Sequence, residues 1–157
     1  LKMQYEEGAS VFQCDGYMLL SNTVLDIAPG VQTNVIGTHP RCPGLRCPIG
    51  GEFKTALNTP VFFAVWDSII ENGVYKDFAW TVKADPDAVF FPQRLQALLA
   101  NHQEAATGTY LNNCRRGMHG PLEVFSRMAV QTWSQGRARC IAHFQNVCSG
   151  DCKWGED

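Results

Sequence analysis

Apolar and polar positions divide the chain into alternating strand-like and helix-like stretches. Trp80, Val82 and Ala84 alternate with Thr81 and Lys83, the period-2 pattern of a half-buried strand. Pro92 then suits a first helical turn, and Leu95, Leu98 and Leu99 follow at helical spacing, so a helix is expected over 92–101. Upstream, Thr59 reads as an N-cap with Pro60 at the first helical position. Val61, Phe62, Val65, Trp66, Ile69 and Ile70 then form a wide apolar stripe, which Gly73 ends. "YMLLS" (17–21) and "TNVIGT" (33–38) read as short buried strands around a turn-like "DIAPGVQ". "TGTYLN" (107–112) and "LEVFS" (122–126) read as strands too. Ser126 is placed to cap a helix running to about Gln135, with Gly136 after it, and "RCIAHFQNVC" fits a helix by a small margin. The segment 38–52, "THPRCPGLRCPIGGE", is too rich in proline and glycine for regular structure and is expected to be a loop. Strands alternating with helices predict an α/β fold with a mainly parallel sheet.

Composition narrows this picture. A chain of 157 residues with 45% apolar side chains can bury one ordinary core, and a single domain is expected over 1–157. The net charge of -2, without any basic stripe, excludes nucleic acid as the expected partner. No apolar run reaches the ~20 residues of a membrane span, and no signal peptide opens the chain. The chain starts at Leu1 and stops at Asp157 directly after a motif-like "WGED", so it reads as a fragment. Seven cysteines point to a lumenal or secreted protein that pairs them. The spacings at Cys42/Cys47 and Cys148/Cys152 differ from the C-x2-C knuckle of common zinc sites, which favours these two as local disulfides. An odd total leaves at least one cysteine without an internal partner. The chain has no N-x-S/T glycosylation site.

The chemistry of interest lies between the strand at 80–84 and the following helix, where Asp85 and Asp87 flank Pro86. In open α/β sheets ligands bind at that edge. Were the backbone extended there, residues i and i+2 would project to one side, so that both carboxylates could share a ligand. Two close carboxylates repel, and a cation relieves the repulsion. Hard oxygen ligands suit Mg²⁺ or Mn²⁺, which leave coordination sites open for substrate phosphates. Asp and Pro are also common in ordinary surface turns, so the pair by itself has a purely structural explanation. His119 is a lone histidine, more often a surface residue than a ligand.

The surroundings sharpen the picture. "WTVKADPDAVF" (80–90) resembles the segment of the Fringe and β1,3-galactosyltransferase group, core-1 branch, that carries its metal-binding D-x-D. "CDGYMLLSN" from Cys14, "GPLEVFSRMAV" from Gly120 and the terminal "GED" are similar to further family segments, in family order. The resemblance implies a GT-A-like fold, with a mostly parallel sheet flanked by helices, lacking its first strand and C-terminal end. It also implies transfer of a hexose, with inversion, from a UDP-sugar donor to an acceptor hydroxyl on a glycan or glycoprotein. In that scheme Asp85 and Asp87 hold Mn²⁺ (or Mg²⁺), and Asp85, Lys83, Gly120 and Glu123 line the substrate site. Glu156 or Asp157 serves as the catalytic base. The resemblance further implies a Golgi or other secretory-pathway lumen, with a membrane anchor outside this stretch. Two departures stand out: Pro86 replaces the family's middle Asp, and Pro121, Leu122 and Glu123 replace small residues. "DPDAVFF" also fits the haloacid-dehalogenase pattern, in which Asp85 would attack phosphate. A catalytically degenerate sugar-binding domain is the non-enzymatic alternative.

Overall fold

The residue that should have faced solvent on the strand at 80–84 is its most buried one. Lys83 is 6% exposed, whereas Trp80, Val82 and Ala84 are only half-buried. The structure, a computed structural model, describes residues 1–51, 54–115, 117–118 and 120–147. In chain order, helix α1 (Lys2–Glu6) and a 3₁₀ turn (Ser10–Gln13) precede strands β1 (Leu20–Ser21), β2 (Asp26–Ala28), β3 (Val31–Gln32) and β4 (Asn34–Val35). Strands β5 (Ile49–Gly50) and β6 (Thr55–Ala56) lead to helix α2 (Thr59–Asn72). Then come β7 (Trp80–Ala84), α3 (Pro92–Leu99), β8 (Tyr110–Leu111), β9 (Leu122–Ser126) and α4 (Arg127–Val147).

The fold mixes α and β elements as expected, but the mainly parallel sheet is not what forms. The largest sheet has the order β7–β9–β8, and both of its neighbouring pairs are antiparallel. Only β1 and β4 pair in parallel, and β2–β3 and β5–β6 are antiparallel pairs. The physical reason lies in β9. Strands β7 and β8 run the same way on either side of α3, as a crossover would leave them, but β9 inserts between them in the opposite sense. Alternation of strand and helix in the sequence does not reveal such an insertion.

Local signals explain most element ends. Gly73 closes α2 in the left-handed conformation (φ 75°), and its N–H donates to the Ile69 carbonyl at 3.1 Å. The start of α2 is one residue earlier than expected, with Asn58 at the N-cap and Thr59 already helical. Ser126 caps α4 as its sequence position suggests: its Oγ accepts from the Ala129 N–H at 3.3 Å. Glu104 supplies a second cap, accepting from the Met128 N–H at 2.6 Å. The expected stop at Gly136 does not occur, and α4 continues to Val147. A helical glycine costs only about 1 kcal/mol, and two neighbours offset it. Trp133 packs into the core, while Arg137 pairs with Asp67 of α2, its Nη2 donating to Oδ2 at 2.7 Å.

The core lies where α2 and α4 cover one side of the three-stranded sheet. Trp66, Tyr75 and Val130 are its buried centre, with Ile69, Ile70, Phe125 and Trp133 packed against them. Trp66 meets Phe125 edge-on at 5.0 Å and Trp133 at 5.9 Å between ring centroids. The backbone of Gly108 approaches α4 so closely that a Cβ there would lie 2.1 Å from the Ala129 nitrogen. At φ 92° the position also disfavours any side chain. Gly108→Ala is therefore expected to destabilise the protein by about 2–3 kcal/mol, more than loss of the Ser126 cap at about 1 kcal/mol. Urea denaturation of both single variants measures the difference.

Candidate functional site at the end of β7

Strand β7 ends because Pro86 turns the chain. The Ala88 N–H donates to the Asp85 carbonyl at 3.0 Å, closing a turn over Asp85–Ala88 with proline at its second position. The extended geometry that would point Asp85 and Asp87 to one side is thus replaced by a turn. Asp85 is tied back to the sheet edge through its N–H, which donates to the Pro121 carbonyl at 3.0 Å. Asp87 is exposed on the turn. Helix α3 starts four residues beyond Ala88, with Pro92 at its first position, so the pair does lie between a strand end and a helix start.

Lys83 organises this edge. Its ammonium donates to the Gly120 carbonyl at 2.6 Å, pairs with Asp85 Oδ1 at 2.8 Å, and lies 3.8 Å from the centroid of the Phe62 ring. The cross-strand register sets Lys83 directly opposite Glu123. Trp66 Nε1 in turn donates to Glu123 Oε2 at 3.1 Å. Residues 83 and 123 therefore form a polar seam beneath α2, with Phe62 and Trp66 as its apolar cover. A lysine this buried is tolerated because its charge has a carboxylate, a carbonyl and a ring face around it.

Two cavities flank the seam and share Phe62 as a wall. The first, of about 520 Å³, runs along β7 and includes Asp85, Lys83, Pro86 and Phe90. The second, of about 610 Å³, opens between α2, α4 and the β8–β9 side and includes Glu123. Both are within the ~300–1,000 Å³ usual for ligand sites.

The structure brings Lys83, Asp85 and Gly120 into direct contact and places Glu123 beside them, turned to the other cavity. Glu156, Asp157 and His119 lie outside the described residues. Among the described residues no group of three or more His, Cys, Asp or Glu side chains is arranged to hold a metal. Helical periodicity shows Phe62 and Trp66 only as members of an apolar stripe and does not reveal their roles at the seam. A lysine inside an alternating strand, opposite a glutamate on another, was the signal that something polar is buried there.

The disulfide expected between Cys42 and Cys47 is present, and Cys42 is fully buried. Cys148 and Cys152 lie outside the described residues. Cys14 and Cys140 carry thiols. Burial, helped by the neighbouring Asp15 carboxylate, pushes the Cys14 thiol above its ordinary pKa and makes it a poor nucleophile at neutral pH.

The Lys83–Asp85 contact is expected to be energetically coupled. In a cycle of Lys83→Met, Asp85→Asn and the double variant, removing Lys83 alone strands a partly buried carboxylate. We expect a coupling of about 1–3 kcal/mol from denaturant unfolding. Additive losses would mean that the pair contributes nothing as a pair.

Compared with models of known protein families, with curated proteins and with solved structures, the chain matches none.

Proposed function

We propose that this chain is a metal-dependent, inverting glycosyltransferase domain that moves a hexose from a UDP-sugar to a hydroxyl of a glycan or glycoprotein. The observation that carries the reading is the Asp85–Pro86–Asp87 turn. It lies at the end of a sheet strand, its Asp85 and Pro86 border a cavity, and its first carboxylate is fixed by a buried lysine. The resemblance of residues 80–90 to a D-x-D segment gives that geometry its chemical meaning. A GT-A-like arrangement follows as part of the same proposal.

The turn suits a divalent cation of the Mg²⁺ or Mn²⁺ type, which needs only one or two protein carboxylates when a diphosphate supplies the remaining oxygens. Asp87, exposed on the turn, and Asp85 are the residues that would hold such an ion in this reading. A bound ion supplies charge neutralisation for the departing UDP diphosphate. Lys83 holds the Asp85 carboxylate in one orientation and joins it to Gly120 of β9's leading loop, so that the donor side of the site is set before substrate arrives. Glu123 borders the acceptor side in this reading. Glu156 or Asp157 takes the acceptor proton as general base. The Cys42–Cys47 disulfide supports folding in an oxidising compartment such as the Golgi lumen. No helix of the described residues is long and apolar enough to cross a membrane, so an anchor in this proposal belongs to chain beyond them.

Calorimetry with UDP in the presence and absence of Mn²⁺ tests the reading. We expect metal-dependent UDP binding that weakens at least tenfold in Asp87→Asn and falls in the same direction in Asp85→Asn. UDP binding that ignores the metal and survives both substitutions would reduce the pair to a surface turn. A beryllofluoride adduct on Asp85 would instead identify a phosphohydrolase of the dehalogenase type.

A further inference from the structure

Strand β7 is at the edge of its sheet, and the residues along that edge line the cavity of about 520 Å³. The Asp85 N–H donates to the Pro121 carbonyl and the Arg127 N–H to the Ala79 carbonyl, which fixes the alternation of the β7–β9 ladder. Ala79, Thr81, Lys83 and Asp85 turn their peptide groups to β9 and its flanks. Trp80, Val82 and Ala84 turn theirs the other way, and among the described residues these groups have no backbone partner. All three residues are half-buried and line the cavity. We propose that this groove takes an extended apolar peptide from a partner polypeptide, which adds a strand to β7.

The open edge itself specifies the backbone of that ligand. Half-buried N–H and carbonyl groups need partners, and here they recur at every second residue of an extended chain. Another extended backbone repeats its own acceptors and donors at the same interval, which is how strands add to sheet edges. A second free edge borders the same cavity. Strand β1 bonds to β4 through the Leu19 and Ser21 carbonyls, so the peptide groups of Leu20 point away from β4, and Leu20 also lines the cavity.

The walls specify the side chains. Helix α2 contributes Val61, Val65 and Ile69, and α3 with its approach contributes Phe90, Leu95 and Leu99. A strand enclosed in such surroundings carries a near-continuous apolar run. Residues 1–157 contain four runs of at least four consecutive apolar residues, at 17–20, 61–66, 88–91 and 97–100. Each of them already supplies part of the groove's own wall, so none is left to fill it, and the strand comes from a partner. The inference does not depend on the glycosyltransferase reading. It concerns the backbone of 80–84, with the Asp85 turn at one end, and its test uses no nucleotide or metal.

The probe is a synthetic peptide, Lys-Lys-Val-Ile-Val-Leu-Val-Lys-Lys, whose lysines keep an apolar strand soluble. It is added to the whole nitrogen-15-labelled chain, and amide exchange is followed residue by residue. Without peptide, the N–H groups of Trp80, Val82 and Ala84 are expected to exchange faster than those of Thr81, Lys83 and Asp85. With saturating peptide they are expected to slow by about tenfold or more. The control is the same peptide with esters in place of its central amides, which keeps the apolar side chains and removes the donors. It is expected to bind about tenfold more weakly or worse. Val82→Pro removes one outward N–H without touching the β9 ladder and is expected to weaken the amide peptide in the same direction. The two peptides are compared on the unaltered protein, so poor folding of the Pro variant would not affect that comparison. Equal binding of the peptide and its ester, or no slowing of exchange at 80, 82 and 84, overturns the proposal.

Discussion

A lysine ammonium in the interior of a small domain has to be surrounded by groups that replace its water, and in this protein that requirement shapes three elements at once. Lys83 takes the Asp85 carboxylate from the turn after β7, the Gly120 carbonyl from the loop before β9, and the face of Phe62 from α2. Loss of any of them leaves the ammonium with fewer groups to replace its water. The consequence is a fixed relationship between the end of β7, the start of β9 and the first turns of α2. The two cavities on either side inherit their walls from it. Phe62 separates them, and Glu123 and Asp85 face one each.

This arrangement also explains how the two cavities differ so much within a short distance. At the Asp85 edge the backbone turns, carboxylates are partly open to solvent, and an ion with bound water can approach. Behind Phe62, rings dominate and water has few partners. The first environment is the one in which a hard divalent cation is proposed to bind. The single buried lysine holds a carboxylate at the first cavity and faces, across the strands, the carboxylate that lines the second.

Much of the local structure was legible in the sequence because it depends on near neighbours. Gly73 stops α2, Pro92 opens α3, Ser126 caps α4, and Cys42 pairs with Cys47, each for a reason contained in a few residues. What failed depends on contacts far apart in the chain. The antiparallel insertion of β9 between β7 and β8 follows from pairing across some forty residues, and periodicity carries no information on strand direction. Gly136 stays helical because Trp133 and Arg137 find partners on α2 and in the core. The alternation in β7 predicts the apolar side inward, yet the side bearing Lys83 is the one that α2 covers. A charged side chain can be buried only when its partners are brought to it, and Asp85, Gly120 and Phe62 converge only in the folded chain. Of the candidate site, the Asp85–Asp87 position between strand and helix was visible beforehand, whereas the aromatic cavity was not, since its rings come from α2, β8, β9 and α4.

The central claim is that Lys83 is a buried, charged and fully engaged ammonium. Nitrogen-15 labelling of lysine, with detection of the ammonium protons by NMR, addresses it directly. Exposed ammonium groups such as those of Lys2, Lys54 and Lys76 exchange with water too fast to be seen near neutral pH. Lys83 should give a separate, slowly exchanging ammonium resonance that moves when Asp85 is replaced by asparagine. A spectrum in which Lys83 exchanges as fast as the surface lysines, or in which its resonance ignores Asp85, would contradict the account.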